Sequence, residues 1–125
     1  MAARRFSNAR LDALARAKII GVRAGTEHRY TGVWVVVVDG RVFARSWYDK
    51  STGWFRAFRA QPRGTIQCGD QEVQVRATPV RSARLRDAVS AAYGEKYQTK
   101  ASQKWVQGFA EPARVTNTIE FVPAS

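Results

Sequence analysis

Apolar and polar positions change period several times along this 125-residue chain, and each change marks an element. Between Phe6 and Ala17, Leu11, Leu14 and Ala15 recur at helical spacing, with Ser7 or Asn8 available as an N-cap. That pattern predicts an amphipathic entry helix of about three turns. Lys18 to Arg23 reads as a short strand, and Ala24 to Tyr30 as a polar loop holding the only histidine, His28. The run Val33-Trp34-Val35-Val36-Val37-Val38 is β-branched almost throughout and apolar on both faces, which predicts a central strand. Asp39-Gly40 then marks a two-residue hairpin turn, because both positions tolerate positive φ.

On the returning strand, Arg41 to Tyr48, alternation sets Phe43, Arg45 and Trp47 on one face. Val42, Ala44, Ser46 and Tyr48 fall on the other. Arg45 and Ser46 therefore reach one ligand through their side chains only if the strand bulges there. Lys50 to Gly53 reads as a turn, and Gly53 to Ala60 as a short helix with Trp54, Phe55 and Phe58 covering one side, closed by Pro62. A second hairpin runs Thr65 to Cys68, turns at Gly69-Asp70, and returns from Gln71 to Thr78. Its later strand alternates Val73, Val75 and Ala77 against Glu72, Gln74 and Arg76, so one face should be wet. Ser82 can cap a helix to about Tyr97 whose apolar stripe is Leu85, Ala88, Val89, Ala92, Tyr93 and Tyr97. Thr99 to Arg114 reads as irregular, anchored by Trp105 and Phe109. Thr116 to Val122 ends the chain as a strand, with Ile119 and Phe121 facing opposite to Thr118 and Glu120.

About six strands joined mainly by hairpins predict a mainly β (α+β) fold, an antiparallel sheet curled into a small barrel. An N-terminal helix and one longer C-terminal helix accompany it, and residues 1–125 are expected to form a single domain. With 45% hydrophobic residues, the chain is too apolar for a disordered class. Cys68 is the sole cysteine, so an intramolecular disulfide is excluded, and a small core or rim position suits it better than a reactive one. The longest apolar run, Val33 to Val38, is far short of a membrane span, and MAARRF leads into a polar amphipathic segment. These features predict a cytoplasmic protein with no membrane partner.

Twenty-one Lys and Arg against ten Asp and Glu leave a net charge of +11, a balance that suits a nucleic-acid binder. The basic residues are dispersed, however, over the first helix (Arg4, Arg5, Arg10, Arg16), the hairpin exit (Arg41, Arg45, Lys50, Arg56, Arg59, Arg63) and the C-terminal third. Dispersed charge is usually a solvated surface, so nucleic-acid binding is kept as an alternative and not favoured.

Familiar catalytic signatures are missing. One Cys and one His cannot build a usual structural zinc site, and neither GxGxxG nor GxxxxGK[ST] occurs. Asp39 is accounted for by its turn, Glu72 and Glu120 by exposed strand faces, and a lone loop histidine is usually solvated. No carboxylate pair stands out as an acid/base couple. The hairpin exit carries the remaining chemistry. Arg45 can grip a phosphate or carboxylate in two-point fashion, Trp47 and Trp54 can stack on a planar ring, and Arg56 and Arg63 add charge. The same residues suit a core or dimer interface, with arginines lying over the rings. Tyr93, Lys96 and Tyr97 share one helical face, and helix packing with a snorkelling lysine accounts for them best.

The segments WVVVVDGRVFARSW, GWFRAF, AVSAAYGEKY and TNTIEFVP together resemble an uncharacterised bacterial family known as a domain of unknown function. The likeness runs from the entry helix to Pro123. At fold level the chain also resembles the split β-barrels that bind flavin mononucleotide or deazaflavin, such as pyridoxamine-phosphate oxidase relatives. That resemblance implies a homodimer holding an anionic planar cofactor, FMN or a deazaflavin, with hydride transfer performed by the cofactor. Carried onto this sequence, it implies that Arg45, Ser46 and Arg56 hold phosphate while Trp47 and Trp54 flank the ring. GWFRAF replaces the lysine-rich segment usual after that strand. A ligand-free dimeric interaction domain, with Trp47 and Trp54 fully buried, is the remaining alternative.

Overall fold

One stretch of chain, Thr31 to Val38, closes the sheet by pairing with two different neighbours. Its first half, β2 (Thr31–Val33), runs antiparallel to β1 (Ile20–Ala24), with Ile20 opposite Val33. Its second half, β3 (Val35–Val38), runs antiparallel to β4 (Arg41–Arg45), with Val35 opposite Ala44. Trp34 lies between the halves. The other strands are β5 (Arg63–Cys68), β6 (Gln71–Pro79) and β7 (Thr118–Pro123). All are antiparallel in the order β2-β1-β5-β6-β7-β4-β3, so the two ends of the sheet are adjacent pieces of one strand. The result is the split antiparallel barrel that the pattern and the resemblance predict, and Trp34 is its seam. This computed structural model describes residues 5–48 and 52–124. Arg4, Lys50 and the first part of the turn expected over Lys50 to Gly53 lie outside the described residues.

Alternation along the strands builds two cores. Val22, Val35, Val42, Ala44, Ile66, Val75, Ile119 and Phe121 point into the barrel. Val36 and Phe43, on the outer face, meet a second layer. That layer centres on α3 (Ala83–Lys96), capped by the Ser82 hydroxyl, which accepts from the Leu85 N–H at 3.2 Å. Its buried Val89 and Tyr93 lie on the stripe read from the sequence. The helix continues through Gly94.

Two further helices pack toward opposite ends of the barrel. The entry helix, α1 (Asn8–Arg16), is capped by Ser7 and buries Leu14. It shares a cavity wall with Ile66 and Cys68 near the β5–β6 turn. Helix α2 (Trp54–Ala60) buries Phe55 and Phe58, with Phe58 against Gly64 at the start of β5.

Four expectations need correction. The strand expected over Val33 to Val38 starts earlier and breaks at Trp34. The strand after the hairpin ends at Arg45 and does not continue to Tyr48. The segment from Thr99 to Arg114 is helical: a 3₁₀ turn (Lys100–Ser102), α4 (Gln103–Phe109) and α5 (Pro112–Val115). Glu120 is part-buried, because Arg41 clamps it with two hydrogen bonds of 2.8 and 2.7 Å. The Asp39-Gly40 turn is as read, with φ of 51° and 74°.

Candidate functional site

A strand that changes partners leaves backbone groups without a ladder mate, and buried orphans of this kind are costly. Helix α3 supplies the missing partners. The Tyr93 hydroxyl donates to the Trp34 carbonyl at 3.0 Å and accepts the Arg45 N–H at 3.0 Å. The Tyr97 hydroxyl accepts the Val35 N–H at 3.3 Å and donates to the Lys18 carbonyl at 2.7 Å. Lys96 Nζ donates to the Val35 carbonyl at 2.6 Å and to Leu14 at 3.0 Å. Burial pushes the Tyr93 hydroxyl well above the usual range and Tyr97 up to about 12, so both remain neutral donors. Burial also lowers the Lys96 ammonium to about 8. The Tyr93–Lys96–Tyr97 face thus packs a helix, as read, and also clamps the seam by hydrogen bonds.

Arg45 sits at the exit of β4, only 2% exposed. Its guanidinium turns away from the barrel toward the helical layer, on the face that alternation assigns it with Phe43. Nε donates to Thr118 Oγ1 at 2.8 Å, and Nη1 to Ser90 Oγ at 2.8 Å and the Phe109 carbonyl at 2.7 Å. Nη2 donates to the Arg86 carbonyl at 3.0 Å. Desolvation, the largest cause, lowers its pKa from the ordinary arginine value, yet guanidinium remains a cation in proteins. One side chain therefore ties β4 to α3, α4 and β7.

Beyond Arg45 the chain is still held. The Ser46 N–H donates to the Asn117 carbonyl at 3.1 Å, and its own carbonyl accepts Asn117 Nδ2 at 3.3 Å. The Ser46 hydroxyl donates to the Tyr48 carbonyl. The Trp47 indole is boxed in. The Arg114 guanidinium lies 3.6 Å from its ring centroid, while Trp105 and Phe109 meet it edge-on at 4.9 and 5.4 Å. Gly108 lets α4 approach the benzo edge of Trp47; a Cβ there would overlap the ring.

These elements enclose a cavity of about 530 Å³ between the free side of β2 and the β4 exit. All four tryptophans of the chain, Trp34, Trp47, Trp54 and Trp105, line it together with Phe109. Thr31, Gly32 and Ser46 contribute polar atoms. Among the described residues, no Asp or Glu lines the cavity, and no group of three His, Cys, Asp or Glu could hold a metal. Such a wall stacks on flat rings and tolerates negative charge.

Of the residues singled out from the sequence, Ser46, Trp47 and Trp54 come together here. Arg45 belongs to the same wall, with its guanidinium committed to protein acceptors. Arg56 lies on the exposed face of α2, outside the cavity wall. Trp34 and Trp105 were not anticipated as lining residues. The available signal was Trp34 itself, the one aromatic in an otherwise all-valine run. Trp47 and Trp54 are half-buried within the single chain.

The architecture matches solved structures of low sequence identity. A Listeria innocua protein described as a pyridoxamine 5′-phosphate oxidase superposes with a TM-score of 0.64 at 15% identity, covering 94% of this chain and 93% of its own. A domain-swapped dimer gives 0.57 at 16% identity, covering 83% and 78%. A FAD-binding protein from Mesorhizobium loti gives 0.55 at 14% identity, covering 100% and 95%. At such identities the likeness is one of fold. No curated protein matches the chain. A family model spanning residues 9–121 does match, embracing the entry helix, the seam, the tryptophan cavity and the closing strand: the chain belongs to the family of uncharacterised proteins conserved in bacteria (DUF2255).

Proposed function

We propose that this protein binds a planar, anionic cofactor of the flavin or deazaflavin class in the tryptophan-lined cavity, as a homodimer with oxidoreductase-like chemistry. One observation carries the reading: four tryptophans converge on a single cavity of about 530 Å³ with no carboxylate in its described wall. That volume lies in the range of small-molecule sites, about 300–1,000 Å³. Trp47 and Trp54 flank the ring, and the Ser46 hydroxyl oxygen, whose proton goes to the Tyr48 carbonyl, is left as an acceptor at its edge. Arg45 acts as a positioning residue, fixing Ser46 and Trp47 through its bonds to α3, α4 and β7. Arg56 adds positive charge on α2 outside the wall. A flavin or deazaflavin bound there would supply hydride transfer.

The fold likeness to a protein described as a pyridoxamine 5′-phosphate oxidase and to a FAD-binding protein supports the cofactor class. Likeness to a domain-swapped dimer, and the exposure of Trp105 (43%) and Tyr48 (59%) beside the cavity, support a second copy at the rim. Among the described residues, no helix is long and apolar enough to cross a membrane.

The test is the absorbance spectrum of freshly purified protein, followed by titration of FMN and the deazaflavin cofactor against tryptophan fluorescence. A flavin-like spectrum or saturable quenching is the expected result. A colourless protein whose fluorescence ignores both cofactors overturns the reading.

A further inference from the structure

Next to the tryptophan cavity lies a smaller cleft of about 190 Å³, walled by the β1–β2 loop and the start of α2. Thr31, Thr52, Gly53 and Trp54 line both spaces, so the two adjoin. The cleft also holds His28 and Arg29, and no Asp or Glu lines it among the described residues. Both His28 and Arg29 are exposed, and neither has a hydrogen-bond or ion-pair partner among the described residues. Three other arginines are engaged: Arg45 by four acceptors, Arg41 by Glu120, and Arg114 by Glu111 and Trp47. Arg23 contributes to the cleft wall, but its guanidinium lies 4.6 Å from the Tyr30 ring centroid.

We propose that the His28–Arg29 loop, with the hydroxyls of Thr31 and Thr52, is an anion subsite that receives the phosphate group of an aromatic ligand seated in the tryptophan cavity. This inference rests on the flavin-class reading and deepens it, moving the phosphate away from the β4 exit. The physical argument has three parts. An arginine and a histidine without partners among the described residues, beside a cavity whose described wall holds no acid, attract an anion most strongly at that edge. Threonine hydroxyls and an arginine fork offer donors from several directions, which suits a phosphate with several acceptor oxygens. Trp54 faces both spaces, so one ligand can stack on it while its charged tail reaches the loop.

The test uses wild-type protein, Arg29→Ala, and the His28→Ala/Arg29→Ala double variant. Both positions are exposed in a loop, so the fold is retained, which a thermal melt confirms. Inorganic phosphate is titrated into ¹⁵N-labelled protein, following the Thr31 and Gly53 amides. FMN and riboflavin, which share a ring and differ in the phosphate, are titrated against tryptophan fluorescence. Expected are saturable amide shifts with phosphate that vanish in the double variant. FMN binding should weaken by about tenfold or more in that variant while riboflavin binding is unchanged.

Wild-type amides that ignore phosphate, or shifts and FMN affinity equal in wild type and double variant, overturn the anion subsite. Neither flavin binding to wild type, alongside a phosphate response that depends on Arg29, overturns the flavin reading and leaves the anion subsite standing.

Discussion

Trp34 and Tyr97 stack with ring centroids 3.9 Å apart and planes only 6° from parallel. This pair joins the seam to the candidate site, since Trp34 lines the tryptophan cavity while Tyr97 hydrogen-bonds the backbone beside it. A residue of the cavity wall is therefore positioned by the helix that satisfies the broken strand.

Replacing Tyr97 by Phe keeps the stack and removes the hydroxyl that serves Val35 and Lys18. Leaving those backbone groups unpaired should cost about 1–3 kcal/mol in urea unfolding. An unchanged unfolding midpoint would show that water takes over both bonds and that the clamp is dispensable.

Arg45→Ala strands the acceptors on Thr118, Ser90, Phe109 and Arg86 and opens a void among three elements. A loss of about 3–5 kcal/mol is expected, in the range for breaking a buried charged network. Arg45→Lys should recover little of it, because one ammonium cannot span the guanidinium's fork. Near-wild-type stability of Arg45→Ala, with ligand binding alone reduced, would instead make Arg45 a direct ligand contact.

Lys96 sets a pH dependence whose sign follows from its burial. Its folded pKa is lowered from 10.5 to about 8, so between these values the unfolded chain holds more protons than the folded one. Stability from this group therefore rises with pH across that window, and below it the buried charge is a constant penalty. Comparing wild type with Lys96→Met from pH 7 to 10 should show their stability difference moving in favour of wild type above about pH 8. A difference that stays flat would mean that the folded ammonium titrates like a free lysine.

Gly108→Ala puts a methyl group into the Trp47 ring. Overpacking of this kind costs typically 1–3 kcal/mol. It should also shift the tryptophan emission and weaken FMN binding, since Trp47 must leave its place between Arg114 and α4. Emission and binding identical to wild type would show that α4 yields without moving the indole.

Much of this architecture was legible because its causes are local. Asp39 and Gly40 specify the hairpin through their tolerance of positive φ. Ser82 specifies the start of α3 through its hydroxyl. Val73, Val75 and Ala77 declare a wet-faced strand by alternation, and Trp54, Phe55 and Phe58 one face of a short helix. The candidate site was legible in part: Ser46, Trp47 and Trp54 do meet in one cavity. The helices from Lys100 to Val115 were not legible, because turns this short carry no sustained period and depend on packing.

The order and type of most elements, the apolar faces and the concentration of aromatics at the hairpin exit followed from sequence alone, because each depends on neighbours within a few residues. Tertiary structure decided the rest. The break at Trp34 exists only because the barrel must close on strands β1 and β4, which no local pattern encodes. The same closure turns Tyr93, Lys96 and Tyr97 into partners for orphaned backbone groups. It draws the Arg45 guanidinium into a protein network, where buried acceptors surround it, and leaves His28 and Arg29 in the cleft that adjoins the cavity. Where a charge ends up depends on what surrounds it, and for these residues the surroundings come from distant parts of the chain.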